Sequence, residues 1–301
     1  MLAFWQYNTQ TRYTERVNPM APLRWGIKTA PQHTTYEAMR NVWLEADQNP
    51  VFEHAWLFDH FAPIQGSLDG PCFEGWTLLS ALAAQTQRLR IGLMVAGNTY
   101  RHPAVHAHMA ATVDVISGGR LDFGVGAGWN EYEHASMGLP LYAPGERIRR
   151  LGEACEITKR LFTQPLTDFD GRYYQLNDAR CEPKPIQKPY PPFVIGGAGE
   201  QLTLRVVAQY ADVWNSMPAS VEEYQRKLQI LHEHCAVVGR DPAQIESSTQ
   251  VRVNYADIDA TVATLQPLVD AGMTHIILML TYPYPEGIVA TLAEKIVARV
   301  G

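Results

Sequence analysis

The sequence is poor in cysteine, and its few cysteines form no pattern. Cys72, Cys155, Cys181 and Cys235 are scattered over 301 residues, with no CxxC pair and no spacing typical of zinc ligands. This usage argues against a disulfide framework and a cysteine-ligated zinc site, because both need cysteines at defined separations. We therefore predict reduced thiols in a cytoplasmic protein.

Long apolar runs and an excess of basic charge are also missing. No run approaches the ~20 apolar residues of a membrane span, and residues 1–22 lack the order of a signal peptide. The formal net charge of −6 gives no support for nucleic-acid binding, which usually shows a basic stripe. We interpret 1–22 as a polar-aromatic arm, with Met20 as an alternative start, and 23–301 as a single domain.

Several catalytic fingerprints are absent. The chain has no nucleophile elbow, P-loop or HExxH motif. Trp129 in GVGAGW stands where a dinucleotide fingerprint needs its third glycine, and GGAGEQ at 196–201 also departs from that fingerprint. His102, His106 and His108 raise the question of a metal, but no carboxylate falls at a matching spacing. We interpret them as helix-surface histidines and predict no metal site.

What the sequence does have, after Pro22, is a regular alternation of β-rich runs and helical periodicity. The predicted strands cover 23–28, 54–58, 89–95, 120–126, 193–197, 211–215, 249–256 and 274–280. The predicted helices cover 34–47, 74–87, 103–116, 145–162, 200–210, 219–238, 259–270 and 287–300. Eight strand–helix pairs predict an α/β fold, a closed (β/α)8 barrel of the TIM type. An open doubly wound sheet is the structural alternative.

One segment, 163–192, interrupts this alternation. It holds five prolines between 183 and 192, which prevent both a helix and a central strand. We predict an insertion over the carboxyl-terminal mouth of the barrel, with a short hairpin around Gly171.

Active sites of such barrels lie at the carboxyl ends of the strands, and the second predicted strand ends in Asp59 and His60. Imidazole titrates near neutrality, so His60 can pass a proton while Asp59 orients it or accepts a hydrogen bond from a ligand. A salt-bridged loop pair is the alternative interpretation.

Glycines mark two further strand ends. In RLDFGVGAGW, apolar residues at 121, 123, 125 and 127 alternate as an inward face, while glycines at 124, 126 and 128 leave the other face bare for a flat ligand. In GGAGE at 196–200, free amides at the start of a helix predict an anion site. A tight strand-to-helix turn is the alternative for the second stretch.

Taken in order, DHF at 59–61, SGGR at 117–120, GVGAGW at 124–129 and GGAGE at 196–200 resemble the bacterial luciferase-like oxidoreductases. Within them, the chain is similar to the branch that uses the deazaflavin coenzyme F420. The resemblance covers about residues 22–300 and is most specific over 95–215. It implies a flat tricyclic ring over the strand ends of a (β/α)8 barrel, a non-proline cis peptide near residues 96–98, and frequent homodimers.

The resemblance also implies a set of site residues. His60 and Asp59 are the expected catalytic residues and contact the ring. Trp129 walls the pocket, and Glu131 or Glu133 braces its loop. The expected cofactor-binding residues are Asp59, His60, Ala96, Gly97, Asn98, Gly126, Ala127, Gly128, Trp129, Gly196, Gly197, Ala198, Gly199 and Glu200.

One departure refines the expected reaction. The sugar-phosphate dehydrogenases of this family carry a catalytic glutamate directly after GxG, where this chain has Trp129. We therefore expect a general hydride transfer between reduced F420 and an electrophilic small molecule, with His60 handling the proton. An aromatic mouth of Trp129, Tyr132 and Trp214 suggests an apolar substrate, and a separate reductase or dehydrogenase supplies reduced cofactor.

Three alternatives stay open. The first is a monooxygenase that uses reduced FMN and oxygen, fed by a separate reductase. The second is a flavin-binding protein without turnover. The third is a metal-dependent barrel hydrolase, for which only Asp59 and His60 are available as ligands at strand ends.

Overall fold

The strands follow the predicted order. The structure, a computed structural model, describes residues 23–300, so the predicted arm at 1–22 lies outside the described residues. The strands in the described range are β1 (Arg24–Thr29), β2 (His54–Leu57), β3 (Arg90–Leu93), β4 (Ala96–Gly97), β5 (Leu121–Gly126), β6 (Thr167–Asp170), β7 (Gln175–Ala179), β8 (Phe193–Gly196), β9 (Val213–Asn215), β10 (Glu246–Arg252) and β11 (His275–Leu280).

Eight parallel strands close into a barrel, in the order β1, β2, β3, β5, β8, β9, β10, β11. β11 pairs with β1 along the whole length of both strands. The ring closes where Ile91 and Gly92 of β3 pair with Leu121 and Asp122 of β5. The short strand β4 resumes the pairing with β5 after an interruption at residues 94–95. The predicted (β/α)8 barrel is confirmed.

Helices connect the strands on the outside of the barrel. In the described range they are α1 (Tyr36–Gln48), α2 (Gly75–Ala83), α3 (Pro103–Ile116), α4 (Glu131–Met137), α5 (Pro144–Thr163), α6 (Thr203–Tyr210), α7 (Val221–Val238), α8 (Ile258–Asp270) and α9 (Ile288–Lys295). Side chains of Thr35, Ser220 and Asp257 accept hydrogen bonds from backbone amides at the starts of α1, α7 and α8. Such caps satisfy amides that have no partner within the helix.

Element ends differ from the sequence prediction at several places. β10 begins at Glu246 and ends at Arg252, three to four residues before the predicted limits. α4 was not predicted as a helix. Its signals are nevertheless in the sequence: Asn130 accepts a hydrogen bond from the Glu133 amide at its start, and Gly138 ends it with φ of 66°.

The core has two layers, and the apolar side chains of β5 belong to the outer one. Phe123 of β5 packs against the rings of Trp76, Phe162 and Phe193 in the layer between barrel and helices. A smaller cluster fills the barrel interior: Trp56, Met94, Val194, Val213 and Ile277. The alternation of β5 is thus confirmed, but its apolar face points outward to the helices and its glycines point inward, the reverse of the expected direction.

A non-proline cis peptide joins Met94 and Val95, in the interruption between β3 and β4. The resemblance implied such a bond near Ala96, Gly97 and Asn98, so the structure places it immediately before that segment. It lies on the interior side of the barrel, next to the glycines of β5.

The insertion at 163–192 flanks the barrel. β6 and β7 form the expected hairpin around Gly171, and amides of Arg172 and Tyr173 donate to Glu153 of α5. The part of the insertion between β7 and β8 packs on α3, where Gln187 donates to Asp114. Near the mouth, the Tyr174 hydroxyl accepts a hydrogen bond from Asn98 at 3.3 Å. The insertion therefore reaches the mouth through Tyr174.

Across residues 23–300, no helix combines the length and the apolar character that crossing a membrane requires.

Candidate active site

A cavity of about 610 Å³ opens at the carboxyl ends of the barrel strands. Its volume lies within the usual range for small-molecule and cofactor sites, about 300–1,000 Å³. Most of the expected site residues line it: Asp59, His60, Ala96, Gly97, Gly126, Ala127, Gly128, Trp129, Gly196, Gly197 and Ala198. The structure thus brings four separate strand ends around one space.

Three expected site residues are absent from the lining. Asn98 is buried and bonded to Tyr174. Gly199 leaves room for Thr203, since a Cβ at this position would lie 2.8 Å from the Thr203 hydroxyl. Glu200 forms an ion pair with Arg226 at the surface. Asn98 and Glu200 therefore support the loops around the cavity, and the Gly199 Cα packs against Thr203.

The carboxylate of Glu133 holds His60. His60 Nδ1 lies 2.7 Å from Glu133 Oε2, and the two residues are 73 positions apart in the chain. Because a carboxylate accepts, Nδ1 carries the proton. No described residue binds the other ring nitrogen, Nε2, and the ring lines the cavity. The pair is therefore built to exchange a proton at Nε2.

Glu133 is itself fixed by several donors. Its Oε1 accepts from the amides of Phe61 and Ala62, and its Oε2 also accepts from the Tyr100 hydroxyl. Burial of Glu133 works to raise its pKa, but the hydrogen bonds from His60, Tyr100 and Ala62 prevail and lower the pKa to about 2. Glu133 is thus a carboxylate at neutral pH. Sequence analysis left Glu131 and Glu133 open, and the structure selects Glu133.

Asp59 has a different partner from the one expected. The two guanidinium nitrogens of Arg101 lie 2.6 and 2.9 Å from its two carboxylate oxygens. The Gly97 amide donates to Asp59 at 3.3 Å, and Arg101 also bonds Glu74. Burial raises the pKa of Asp59, and the Arg101 guanidinium opposes this rise. Asp59 therefore ties the end of β2 to β4 and α2, and Glu133 rather than Asp59 orients His60.

The interior glycines make room for Val95. A Cβ on Gly126 would lie 2.8 Å from Val95 Cγ2, and one on Gly196 would lie 2.9 Å from the same atom. A Cβ on Gly128 would collide with Thr99 at 2.1 Å. These glycines accommodate the segment after β3, and it is Val95 that lines the cavity between them.

Aromatic residues contribute less to the mouth than expected. Trp129 is 59% exposed and its ring stands edge-on to His60, with ring centres 5.5 Å apart. Tyr132 is exposed but is not part of the lining. Trp214 is fully buried, stacks on Tyr224, and donates from Nε1 to the Gly197 carbonyl at 2.8 Å. Trp214 therefore supports the turn at Gly197 and does not line the mouth.

The turn after β8, where Ala198 lines the cavity, has backbone donors without acceptors within residues 23–300. The amides of Ala198 and Gly199 have no acceptor within residues 23–300, and α6 begins four residues later at Thr203. Arg147 of α5 lines the same cavity, and its buried Nε and Nη1 bind no described residue. Unsatisfied buried donors cost free energy, about 1–3 kcal/mol each. This side of the cavity is built for an anion, and sequence analysis missed Arg147.

The opposite wall carries a second group of polar side chains. Lys28 of β1 donates to the Met94 carbonyl at 2.9 Å and to Gln250 Oε1 at 2.6 Å. Gln250 donates to Asn215 at 2.7 Å, and Asn215 donates to Ser248 at 2.9 Å. Burial lowers the pKa of Lys28 to about 7. The sequence signal for this group was Lys28, a charged residue at the end of the first predicted strand, and sequence analysis missed it.

No described cluster of three or more His, Cys, Asp or Glu side chains could hold a metal ion. Of the three histidines that raised the question, His102 caps α3, and His108 donates from Nε2 to the Arg180 carbonyl at 2.7 Å. His106 is buried between the rings of Trp76 and Phe123, so its expected place on the helix surface is wrong. The helix pattern of α3 turns this residue towards the core.

A family model described as luciferase-like monooxygenase matches residues 24–295. This match covers nearly all of the barrel. The chain belongs to the luciferase-like monooxygenase family. The family resemblance found in the sequence is thereby confirmed.

Relatives within this family differ in their named cofactors. An uncharacterised protein of Mycobacterium tuberculosis is 34% identical over 168 residues, 56% of this chain and 58% of that protein. The F420-dependent glucose-6-phosphate dehydrogenase of Microbacterium testaceum is 29% identical, over 78% of this chain and 69% of its own length. The FMNH(2)-dependent dimethylsulfone monooxygenase of Pseudomonas putida is 31% identical, over 59% of this chain and 50% of its own length.

A solved structure shares the fold. The F420-dependent secondary alcohol dehydrogenase in complex with an F420-acetone adduct superposes with a TM-score of 0.82 at 17% identity. The superposition covers 93% of this chain and 100% of that one. At this identity the likeness concerns the architecture alone.

Proposed function

We propose that this chain is an oxidoreductase that transfers a hydride between coenzyme F420 and an electrophilic organic substrate. The observation that carries the proposal is the His60–Glu133 pair, whose free Nε2 faces a cavity that also presents an anion site. A reduced carbonyl or activated alkene needs a proton as well as a hydride, and this pair is placed to handle it.

The cavity residues fit a cofactor with a flat ring and a phosphate. Arg147 and the amides of Ala198 and Gly199 are donors without acceptors within residues 23–300, as a phosphate site requires. Val95, which lies between Gly126 and Gly196, gives the cavity an apolar wall for a flat ring. Coenzyme F420, when bound, would supply the hydride donor or acceptor.

The side chains carry the proton. In the direction of reduction, a substrate carbonyl accepts the hydride at carbon and a proton at oxygen. His60, protonated on both nitrogens, donates the proton from Nε2 and is left neutral, with Nδ1–H still bonded to Glu133. The charge that forms on His60 in the reverse direction is stabilised by the same carboxylate.

We propose F420 over FMN because the His60–Glu133 pair suits two-electron transfer with proton exchange. FMN with oxygen is the competing use of the same barrel, and the dimethylsulfone monooxygenase named above shows that the family includes it. Both cofactors carry a phosphate, so Arg147 does not distinguish them. The experiment must therefore compare the two directly.

A binding titration tests the cofactor. Oxidised F420 and FMN are titrated separately into the full chain and followed by cofactor fluorescence. We expect F420 to bind at least about 10-fold more tightly than FMN. Arg147→Met should weaken F420 binding about 10- to 100-fold, the range of a charge-assisted hydrogen bond, while Lys295→Met at the exposed end of α9 should not.

Three results would contradict this proposal. FMN binding more tightly than F420 would favour the monooxygenase. Absence of binding by both would remove the cofactor site altogether. Binding of F420 without reduction of any of a panel of carbonyls and activated alkenes would favour the flavin-binding protein without turnover.

A further inference from the structure

Two cations without acidic partners lie in one row on the cavity wall. Lys28 of β1 and Arg252 of β10 both pair in register with Met279 of β11, which stands between them. All three side chains line the cavity. Neighbouring strands are about 4.8 Å apart, so the two backbones are separated by about 10 Å. Long side chains from these positions can meet on one ligand group.

Neither cation is neutralised by the described part of the protein. Lys28 bonds two neutral oxygens, those of Met94 and Gln250, and forms no ion pair within residues 23–300. The backbone of Arg252 pairs with β11, but its side chain makes no hydrogen bond or ion pair to any residue in that range. Buried or partly buried cations such as Lys28 are normally paired, because water no longer stabilises their charge. Lys28 therefore lacks an anion, and the exposed Arg252 lines the same cavity.

The neighbours of Lys28 fix where its remaining N–H points. Gln250 accepts from Lys28 through Oε1 and donates through Nε2 to Asn215, which in turn donates to Ser248. In its protonated form Lys28 has three donors, and Met94 and Gln250 take two of them. The third is left for the cavity that Lys28 lines.

This row and the proposed phosphate site are on different parts of the wall. In the ring of eight strands, β8, which leads into the turn of the proposed phosphate site, lies opposite β1, which carries Lys28. The phosphate site has its own donors in Arg147 and the turn after β8. A cofactor anion held there leaves Lys28 and Arg252 without a partner.

We propose that Lys28 and Arg252 bind a carboxylate of the substrate, which makes the substrate an organic acid with an electrophilic centre. The proposal rests on the proposed function for the reaction, but the binding of the acid does not depend on it. Met279 between the two cations contacts the apolar part next to the carboxylate.

Three matched pairs of ligands test this site: acetate and acetamide, benzoate and benzamide, trans-cinnamate and trans-cinnamamide. Each is titrated calorimetrically into the full chain without cofactor. We expect at least one acid to bind about 10-fold or more tightly than its amide. Lys28→Met and Arg252→Met should each weaken that acid about 10- to 100-fold and leave the amide unchanged. Lys295→Met is the charge-matched control.

Several outcomes would overturn the site. One is that no acid binds more tightly than its amide. Another is that Arg147→Met abolishes acid binding while Lys28→Met and Arg252→Met do not, which would place the anion in the phosphate site. Arg252 is exposed, so Arg252→Met keeps the test decisive even if Lys28→Met does not fold.

A parallel titration separates the two proposals. Lys28→Met should bind F420 as tightly as the wild-type chain. If wild type binds no F420 but still distinguishes acid from amide through Lys28 and Arg252, the proposed function fails and the carboxylate site stands.

Discussion

At the residue scale, the candidate active site depends on which of two nearby glutamates is buried. Glu131 and Glu133 belong to the same short helix, but Glu131 is exposed and Glu133 is fully buried against His60. Asn130 decides this, because its cap sets the start of α4 and so the direction of each side chain. The two residues offer a matched comparison.

We predict that Glu133→Gln lowers turnover by about 10²-fold or more, while Glu131→Gln leaves it within about twofold. The amide keeps the shape but removes the negative charge that stabilises the imidazolium, a contribution typical of general acid–base pairs. Single-turnover rates with the proposed cofactor measure the effect. Equal rates for the two variants would show that Glu133 has only a structural role.

At the element scale, β5 is shaped by its close approach to β3. A Cβ on Gly124 would lie 1.8 Å from the carbonyl oxygen of Leu93, which is backbone and cannot turn away. Gly152 in α5 is different, since the nearest atom to its Cβ is 3.7 Å away on Val206. The same substitution therefore has opposite consequences in the two elements.

We predict that Gly124→Ala lowers the free energy of unfolding by more than about 3 kcal/mol, since the strands must separate to admit the methyl group. Gly152→Ala should raise it by about 0.5–1 kcal/mol, because alanine favours a helix. Urea unfolding followed by circular dichroism measures both. An unchanged midpoint for Gly124→Ala would contradict the close approach of β3 and β5.

At the scale of the whole molecule, three buried histidines make the fold sensitive to acid. Burial lowers the pKa of His54, lowers that of His106 to about 3, and lowers that of His275 well below its ordinary value. In the unfolded chain these groups titrate near 6.5. At a pH between the folded-state pKa and the unfolded-state pKa of each histidine, the unfolded state binds more protons than the folded state. Acid therefore favours unfolding.

We predict that stability is highest above about pH 6.5 and falls as the pH decreases, by up to about 1.4 kcal/mol per pH unit for each of these histidines. His106→Leu should reduce this slope by about a third, while His108→Leu, at an exposed position, should not. Unfolding midpoints from pH 7.5 to 4.5 measure the slope. A slope unaffected by His106→Leu would show that His106 is charged in the folded protein.

The sequence by itself determined the barrel and the strand ends that surround the cavity. Periodicity of two in β5, buried apolar runs such as β11, and glycines at 126 and 196 depend on backbone geometry within a few residues, which is why they can be read along the chain. Asp59 and His60 were found for the same reason, as polar residues directly after a strand.

Tertiary structure alone decided which side chains are hydrogen-bonded to His60, Asp59 and Lys28. Glu133 reaches His60 across 73 residues, Arg101 reaches Asp59 across 42, and Lys28 reaches Gln250 across 222. Such pairs depend on which strands become neighbours when the ring closes and on how far each side chain extends into the interior. A single sequence records neither quantity, since local spacing fixes the face of a residue but not what lies opposite it.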